Sequence, residues 1–427
     1  MVAHATLGID FGTSNSAAGV SVNGRPWLID LEPSEQTVPT AVFFDADSRR
    51  MKIGRPATRA LINGDEGRFM RALKSLLGTS LLREKRRLNG ELIDFTVIIA
   101  RFLKELKTRA ERATGQEYTR ALSGRPVRFH SSDDQRDAQA ETDLRECYLQ
   151  AGFEDVQFMF EPEAALRATS VSAGFGVIVD IGGGTSDFTV FEQPVAPQYQ
   201  DRAPRILASA GVRVGGTDFD RQLSIQHVMP LLGMGTDIKS VFGDTRLPAP
   251  NRMFQDLATW QMIPFTYSAE CRRAAQDLYA NAVEPKKLAR LVSVLSDELG
   301  HDLAFAVERG KIRTNQAIAD GPDADGQGAI DLRVLEPGLS VALAHAAMAD
   351  SLDHDLAKIT ACLEDLIRDA GVGAGDLDHV VLVGGSALMQ PLQDQLRQMF
   401  PGAQFHCDNA MTAVADGLAL AAGDLHP

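Results

Sequence analysis

The chain of 427 residues carries a formal charge of -14, with 44% apolar and 23% charged residues, a composition that excludes disordered and fibrous classes. That acidity speaks against broad nucleic-acid binding, which needs clustered Lys and Arg at phosphates; the one basic run, Arg83 to Arg87, reads as a solvated helix face. The length exceeds what a single hydrophobic core usually organises and predicts two lobes or more.

Four cysteines, Cys147, Cys271, Cys362 and Cys407, show no paired spacing and no neighbouring histidine, so neither a zinc site nor a disulfide framework is expected. No charged-then-apolar leader precedes the first strand, and no apolar run approaches the roughly 20 residues of a spanning helix. A cytoplasmic chain with no membrane partner is the expectation.

In chain order, ATLGID, Ala17 to Val22, PWLID and AVFFDA read as an antiparallel meander divided by Gly24 and the polar EPSEQTVPT. Leu92, Phe95, Ile98, Ile99, Phe102, Leu103 and Leu106 then recur at helical spacing as one buried face. A strand PVRFH, a helix around Leu144 to Ala151 and a strand VQFMF lead to Glu161 and Pro162. Strands return in FGVIVDIGGG, TVFEQ and RILASAGVRVGG. A helical stretch of more than a hundred residues follows, broken at Pro230, Pro248, Pro250, Pro264 and Pro285. Its aromatic residues Phe254, Trp260, Phe265, Tyr267 and Tyr279 are expected to pack a local core. Val341, Ala344, Met348, Leu352, Leu356, Ile359, Leu363 and Leu366 mark a long amphipathic helix that stops at Gly371, ahead of the strand HVVLVGGSALM.

Two segments carry the chemistry. LGIDFGTSNS holds Asp10, Gly12, Thr13 and Ser14, and VIVDIGGGTSDF holds Asp180, Gly182, Gly183, Gly184, Thr185 and Asp187. A strand that ends in glycines folds back as a tight turn with its N–H groups pointing into the bend, and such a bend takes phosphate. An aspartate before each turn sets two carboxylates near the same oxyanions, which is tolerable with a divalent cation and its waters between them. The pair predicts a magnesium nucleotide. The two copies, about 170 residues apart, read as an internal duplication in which each half supplies one phosphate loop. A third glycine turn, Gly384 and Gly385, follows a buried strand and suits a place where a nucleoside lies against bare backbone.

The ordered set GIDFGTSNS, EPEAAL, VIVDIGGGTSDFTV, GVRVGGTDFD, VERGKIRTN and VVLVGGS closely resembles the nucleotide-binding domain of the 70-kDa heat-shock chaperones, within the actin-like ATPase superfamily. GRPVRF, the AGF leading to EPEAA and the helical stretch near Trp260 look most like the short YegD-like chaperones.

The resemblance implies an α/β, two-lobed actin-like ATPase fold, with duplicated mixed-sheet domains facing a central nucleotide cleft. Residues 1–165 would form the first lobe, with an inserted subdomain at about 41–111. Residues 166–407 would form the second, with a helical subdomain at about 217–339 and an adenosine motif at 380–390; 408–427 would pack back as a helix on the first lobe. The chain stops at Pro427, so the family's peptide-binding domain is expected to be missing.

By the same resemblance, Asp10 and Asp180 hold magnesium through water, Thr13, Ser14 and Asn15 cradle the β and γ phosphates with Gly12, and Gly182, Gly183, Gly184 and Thr185 line the opposite loop. Lys74 reaches the γ phosphate, Glu161 orients the attacking water, Asp187 is a second candidate for positioning that water, and Thr185 counts with them among the catalytic residues. Gly215 and Gly216 contact phosphate or ribose, Glu308, Lys311 and Asn315 lie at the ribose, and Gly384, Gly385 and Ser386 border the nucleoside. Ile312 and Leu388 occupy positions where the family carries arginines over the adenine, and offer apolar contact without cation–π attraction. Met411 and Thr412 stand where an acidic residue is expected. In-line transfer of a phosphoryl group to water depends on positioned charge rather than covalent help, which these residue types supply.

The expected function is an ATP-binding, slowly hydrolysing chaperone-like ATPase whose nucleotide state is sensed by a protein partner or client. The alternatives are a small-molecule kinase of the same superfamily, with Asp218 or Asp220 as base, and a nucleotide-dependent filament protein.

Overall fold

Every residue of β1 (Thr6–Phe11) except Asp10 is buried, as a central strand covered on both faces requires. The computed structural model describes residues 5–130, 133–194, 204–239, 245–319, 328–407 and 409–425. These divide into two units: Met1–Arg213, Ile359–Leu388 and Leu396–Pro427 form the first, and Val214–Lys358 with Met389–Gln395 the second.

The first unit holds two five-strand paths of the same topology. In one, β1 pairs antiparallel with β2 (Asn15–Val22), which pairs with β3 (Arg25–Leu28). On its other side β1 runs parallel to β10 (Arg120–Arg125), and β10 to β11 (Asp155–Phe160). In the other, β12 (Gly174–Ile181) pairs antiparallel with β13 (Ser186–Gln193), and β13 with β14 (Arg205–Val212). On its far side β12 runs parallel to β19 (Leu377–Val383), and β19 to β20 (Gln404–His406).

The connecting helices repeat as well. Phe95–Thr114 (α2), Asp134–Gln150 (α3) and Glu161–Ala168 (α4) stand in the same chain positions as His345–Ala370 (α10), Gln390–Met399 (α11) and Ala413–Asp424 (α12). The fold is the mixed α/β, two-lobed actin-like ATPase class, and strand order alone exhibits the duplication.

One apolar cluster joins the two sheets through their last helices. Leu122 from β10, Ala164 and Ala165 from α4, Ile178 from β12, Val381 and Val383 from β19, and Val414 and Leu418 from α12 are all buried in it. Helix α12 lies close on the first sheet because Gly8 and Gly19 present bare backbone to it: a Cβ on Gly8 would stand 2.8 Å from the Ala419 nitrogen. A larger core fills the other face of that sheet with Phe11, Phe102, Leu103, Leu106, Tyr118, Leu144 and Tyr148.

An insertion precedes α2. β5 (Ala41–Asp45) forms a separate three-stranded sheet with β6 (Met51–Ile53) and β7 (Gly67–Arg71), with α1 (Arg55–Ile62) against it, and β8 (Arg86–Leu88) pairs with β9 (Glu91–Ile93). The fourth strand expected of the opening meander therefore belongs to another sheet; β4 (Thr37–Pro39) takes its place beside β2. Leu92, expected on the buried face of α2, lies in β9 and is exposed, because Asp94 accepts the Val97 N–H and starts the helix after it.

The expected strand PVRFH is not a strand. Pairing ends at Arg125, since Pro126 has no N–H to offer. Arg83 to Arg87 spans a 3-10 turn and β8, not a helix face, and Arg83 is bound to Asp143 and Glu146.

The second unit is mainly helical: α5 (Gly216–Leu223), α6 (Arg252–Ala258), α7 (Ala269–Ala280), α8 (Pro285–Ser296) and α9 (Gly300–Ala319). Two small hairpins, β15 (Asp237–Lys239) with β16 (Arg246–Pro248) and β17 (Gly328–Asp331) with β18 (Ser340–Leu343), interrupt it. Val341 sits in β18, so the long amphipathic helix starts at His345. Phe254 is fully buried and Trp260 packs edge-on against His301 and Phe305, whereas Phe265 and Tyr279 are exposed. No helix among the described residues is long and apolar enough to cross a membrane, and all four cysteines are free thiols.

Gly417 of α12 lies so close to α4 that a Cβ there would collide with the Ala164 carbonyl oxygen. Gly417→Val should therefore destabilise the chain by about 1–3 kcal/mol or more, read as a lowered denaturant midpoint; an unchanged midpoint would disprove this packing.

Candidate functional site

The turn between β1 and β2 and the turn between β12 and β13 have the same construction. Asp10 stands opposite Ala17 and Asp180 opposite Asp187, one pair before the last in each ladder, with Phe11–Ser16 and Ile181–Ser186 closing the bends. Both bends then run from a buried residue through three half-buried positions to an exposed one, Gly12, Thr13, Ser14 and Asn15 in the first and Gly182, Gly183, Gly184 and Thr185 in the second. The Gly182 N–H donates to the Thr185 carbonyl at 3.0 Å, and the Ser14 carbonyl accepts from the Thr40 N–H at 2.8 Å. A Cβ on Gly12 would collide with the Asn15 carbonyl, so the residue type follows from the bend.

The two bends meet. A Cβ on Gly183 would collide with the Ser14 hydroxyl oxygen, so the loops from the two halves lie against each other. The third turn joins them from β19. Gly384 adopts φ +80, its N–H donates to the Ala410 carbonyl at 2.8 Å, and any side chain on it would strike the Ile181 carbonyl, with Asp180 Oδ1 3.1 Å from the same point. Gly385 and Ser386 follow in a short 3-10 turn that ends at Leu388.

Lys74 arrives from the insertion. It lies in a 3-10 turn, Leu73–Leu76, entered through Ala72 at φ +57, a left-handed conformation that an alanine adopts only at a cost. Its Nζ donates to Glu161 Oε1 at 2.6 Å, with 9% and 13% of the two side chains exposed. Glu161 is the first residue of α4, followed by Pro162, where both the missing proline N–H and the helix dipole suit the position. Its Cγ lies 3.3 Å from where Gly124 would carry a Cβ.

Four carboxylates, Asp10, Asp180, Asp187 and Glu161, thus share one ammonium group. Burial first, and then the Glu161 charge, push Asp10 up to about 7. The same two causes push Asp187 up to about 7, against a hydrogen bond from Thr185. Asp180 is raised well above the usual carboxylate range by burial, Glu161, Asp187 and Asp10. Burial opposes the charge of Lys74, but Glu161, Asp10 and Asp180 outweigh it, and its ammonium is held above its ordinary value.

Desolvated carboxylates at this spacing are relieved by a cation brought among them. Among the described residues no three His, Cys, Asp or Glu converge closely enough to ligate a metal directly.

Two side chains near the bends had no role in the sequence. Cys362 of α10 is half-buried, and its thiol is raised by burial, Asp365 and Asp187. Met411 puts its Sδ 2.8 Å from where Gly385 would carry a Cβ; the sequence showed only that it replaces an acid.

The remaining expected residues lie in the second unit. Lys311 Nζ is 2.8 Å from Asp220 Oδ1 and 3.3 Å from the Gly216 carbonyl. Gly215 N–H donates to Asp218 Oδ2 at 2.9 Å at the start of α5, and Asn315 Oδ1 accepts from the Gln390 N–H at 2.7 Å. Glu308 is half-buried one turn before Lys311, and Ile312 beside it is exposed. Asp218 and Asp220, the bases a kinase would use, are thereby engaged in local structure.

The raised carboxylates make stability depend on pH. Between pH 3.8 and about 7 the unfolded chain has ionised Asp10 and Asp187 while the folded chain keeps them protonated. The stability they contribute is whole below that window and is lost as pH rises through it. Asp10→Asn and Asp187→Asn should each flatten the fall of the denaturant midpoint across the window and exceed the wild type at pH 8. Parallel profiles for variant and wild type would count against the electrostatic account.

The model of the Hsp70 protein family matches residues 6–87 and 334–427. The chaperone protein DnaK of Methanothermobacter thermautotrophicus is 26% identical over 428 aligned positions, covering 98% of this chain. The chain spans 59% of the length of that relative. The paired bends and the duplicated sheets thus stand in a chain that is similar to the Hsp70 family over these two segments.

Proposed function

We propose that this chain binds ATP or ADP with magnesium at the two bends, hydrolyses the ATP slowly, and acts as a nucleotide-dependent conformational switch read by a protein partner or client. The observation that carries the reading is the apposition of Ser14 and Gly183, which brings two phosphate-type turns to one place with an aspartate behind each.

In this reading Thr13, Ser14 and Asn15 from the first bend and Gly182 to Thr185 from the second hold the β and γ phosphates through N–H and hydroxyl groups. Magnesium, when bound, neutralises phosphate charge and lets Asp10 and Asp180 ionise. Lys74 offers three N–H donors and spans from Glu161 to the γ phosphate. Glu161, its side chain seated on Gly124, orients the attacking water, and Asp187 is a second candidate for positioning it. Slow turnover suits a carboxylate already committed to Lys74. Gly384, Gly385 and Ser386 take the nucleoside against bare backbone, with Leu388 as an apolar neighbour.

A switch follows because the γ phosphate touches both bends whereas ADP leaves one of them without that contact, so the two nucleotides differ in their preference between conformations. The 70-kDa chaperones as a family supply the precedent for a client protein; the chemistry of the bends does not identify it.

The test is ATP affinity with and without magnesium. Asp10→Asn and Asp180→Asn should each erase most of the magnesium dependence, and Glu161→Gln should slow phosphate release by about a hundredfold at little cost in binding. Phosphate release with no added acceptor separates hydrolysis from kinase activity, and sedimentation unchanged by ATP separates it from filament assembly. Undiminished magnesium dependence in both aspartate variants would refute the site.

A further inference from the structure

Residues Gly124 and Arg125 end β10 beside Met159 and Phe160 of β11, in parallel register. Gly124 presents bare backbone to the Glu161 side chain. Arg125, next along, lays its guanidinium against the Phe160 ring at 5.2 Å and against the Phe129 ring at the same distance. The junction of β11 and α4 is thus held by consecutive residues of one strand end.

Arg125 is only 12% exposed, and every nitrogen of its fork has a partner. Its Nε donates to the Pro126 carbonyl at 3.0 Å, Nη1 pairs with Glu141, and Nη2 donates to the Val127 carbonyl at 3.2 Å and to Asp137 at 3.3 Å. Asp137 in turn accepts the Phe129 N–H at 2.5 Å, so the second ring is fixed as well. A buried cation between two rings, with its charge answered by Glu141 and Asp137 of α3, is rigid, and a planar fork is needed for that arrangement.

Phe160 is the residue before α4 and gives that helix no side-chain cap. The direction in which Glu161 leaves the helix start is therefore set by packing on Phe160 and Gly124 and by Lys74. We propose that Arg125 is a positioning residue for Glu161, fixing the Phe160–Glu161 junction through its stack on Phe160 so that the carboxylate points at Lys74 and the attacked phosphate. This rests on the role proposed above for Glu161.

The experiment is a double-mutant cycle on the full chain with Arg125→Ala and Glu161→Gln, followed by steady-state phosphate release. Because a small misplacement of a reacting group is costly, Arg125→Ala should lower kcat about tenfold to a hundredfold with KM changed less than about twofold. In the Glu161→Gln background it should add almost nothing. Arg125→Lys, which keeps charge but not the planar stack, should recover part of the loss. A second readout needs no nucleotide: amide hydrogen exchange in Phe158 to Glu161 should quicken in Arg125→Ala while β1 and β12 keep their protection. If Arg125→Ala does not fold, the same comparisons are made with Arg125→Lys. Equal losses in both backgrounds, or unchanged kcat and exchange, overturn the inference. If Glu161→Gln stops hydrolysis while the Arg125 variants match wild type, this inference alone falls; if Glu161→Gln hydrolyses like wild type, the functional reading falls with it.

Discussion

The constraint on which the rest of the structure depends is the crowding of four half-buried carboxylates around one ammonium group at the meeting of two glycine bends. Half-buried and crowded together, Asp10, Asp180 and Asp187 do not ionise readily beside Glu161, and their raised titration reflects that conflict. A chain selected for stability alone would replace them, since buried charge without full pairing is costly. Their presence makes sense when a cation and a polyanion enter together, because each then compensates a charge the other site cannot.

The duplicated topology explains how the conflict is built. A strand followed by an antiparallel partner puts an aspartate at the next-to-last pair before each bend, and the parallel neighbours β10 and β19 bring a further element to the same end of each sheet. From β10 and β11 come Gly124 and Glu161, and from β19 comes the Gly384 turn. Helices α4 and α12 share an apolar cluster with both sheets, so the bends are held together by packing that is remote from the polar site. Small residues at Gly8, Gly19 and Gly417 allow that closeness, and their value lies in what they leave out.

Much of this was legible in the sequence because glycine turns and buried strands leave local signatures. Asp10 and Asp180 followed from apolar runs ending in Gly-Thr, and the strand pattern of the second half matched closely. The strand next to the first bend was misplaced because β10 reads RALSGR, poor in β-branched and aromatic residues; its small side chains suit the close approach of α12 at Leu418 rather than intrinsic strand preference. Leu92 fitted the helical period and yet sits in a hairpin, since a period of apolar residues does not say where a cap will stop it. Lys74 had no local signal at all: its meaning comes from Glu161, 87 residues away, and from a backbone bend at Ala72 that no alanine advertises. Arg125 was likewise hidden, since only the fold brings Phe129, Phe160 and α3 around it.

Lys74 also shows why this site uses a lysine rather than an arginine. A planar guanidinium holding Glu161 in a two-point pair would be fixed in that geometry, whereas an ammonium group has three donors on a flexible stem and can keep Glu161 while turning another N–H toward an incoming oxyanion. Its surroundings push the same way, because Asp10 and Asp180 add to Glu161 in keeping it charged despite burial. An anion entering the bends would meet a cation already desolvated and already protonated, so little reorganisation is needed at the moment of contact.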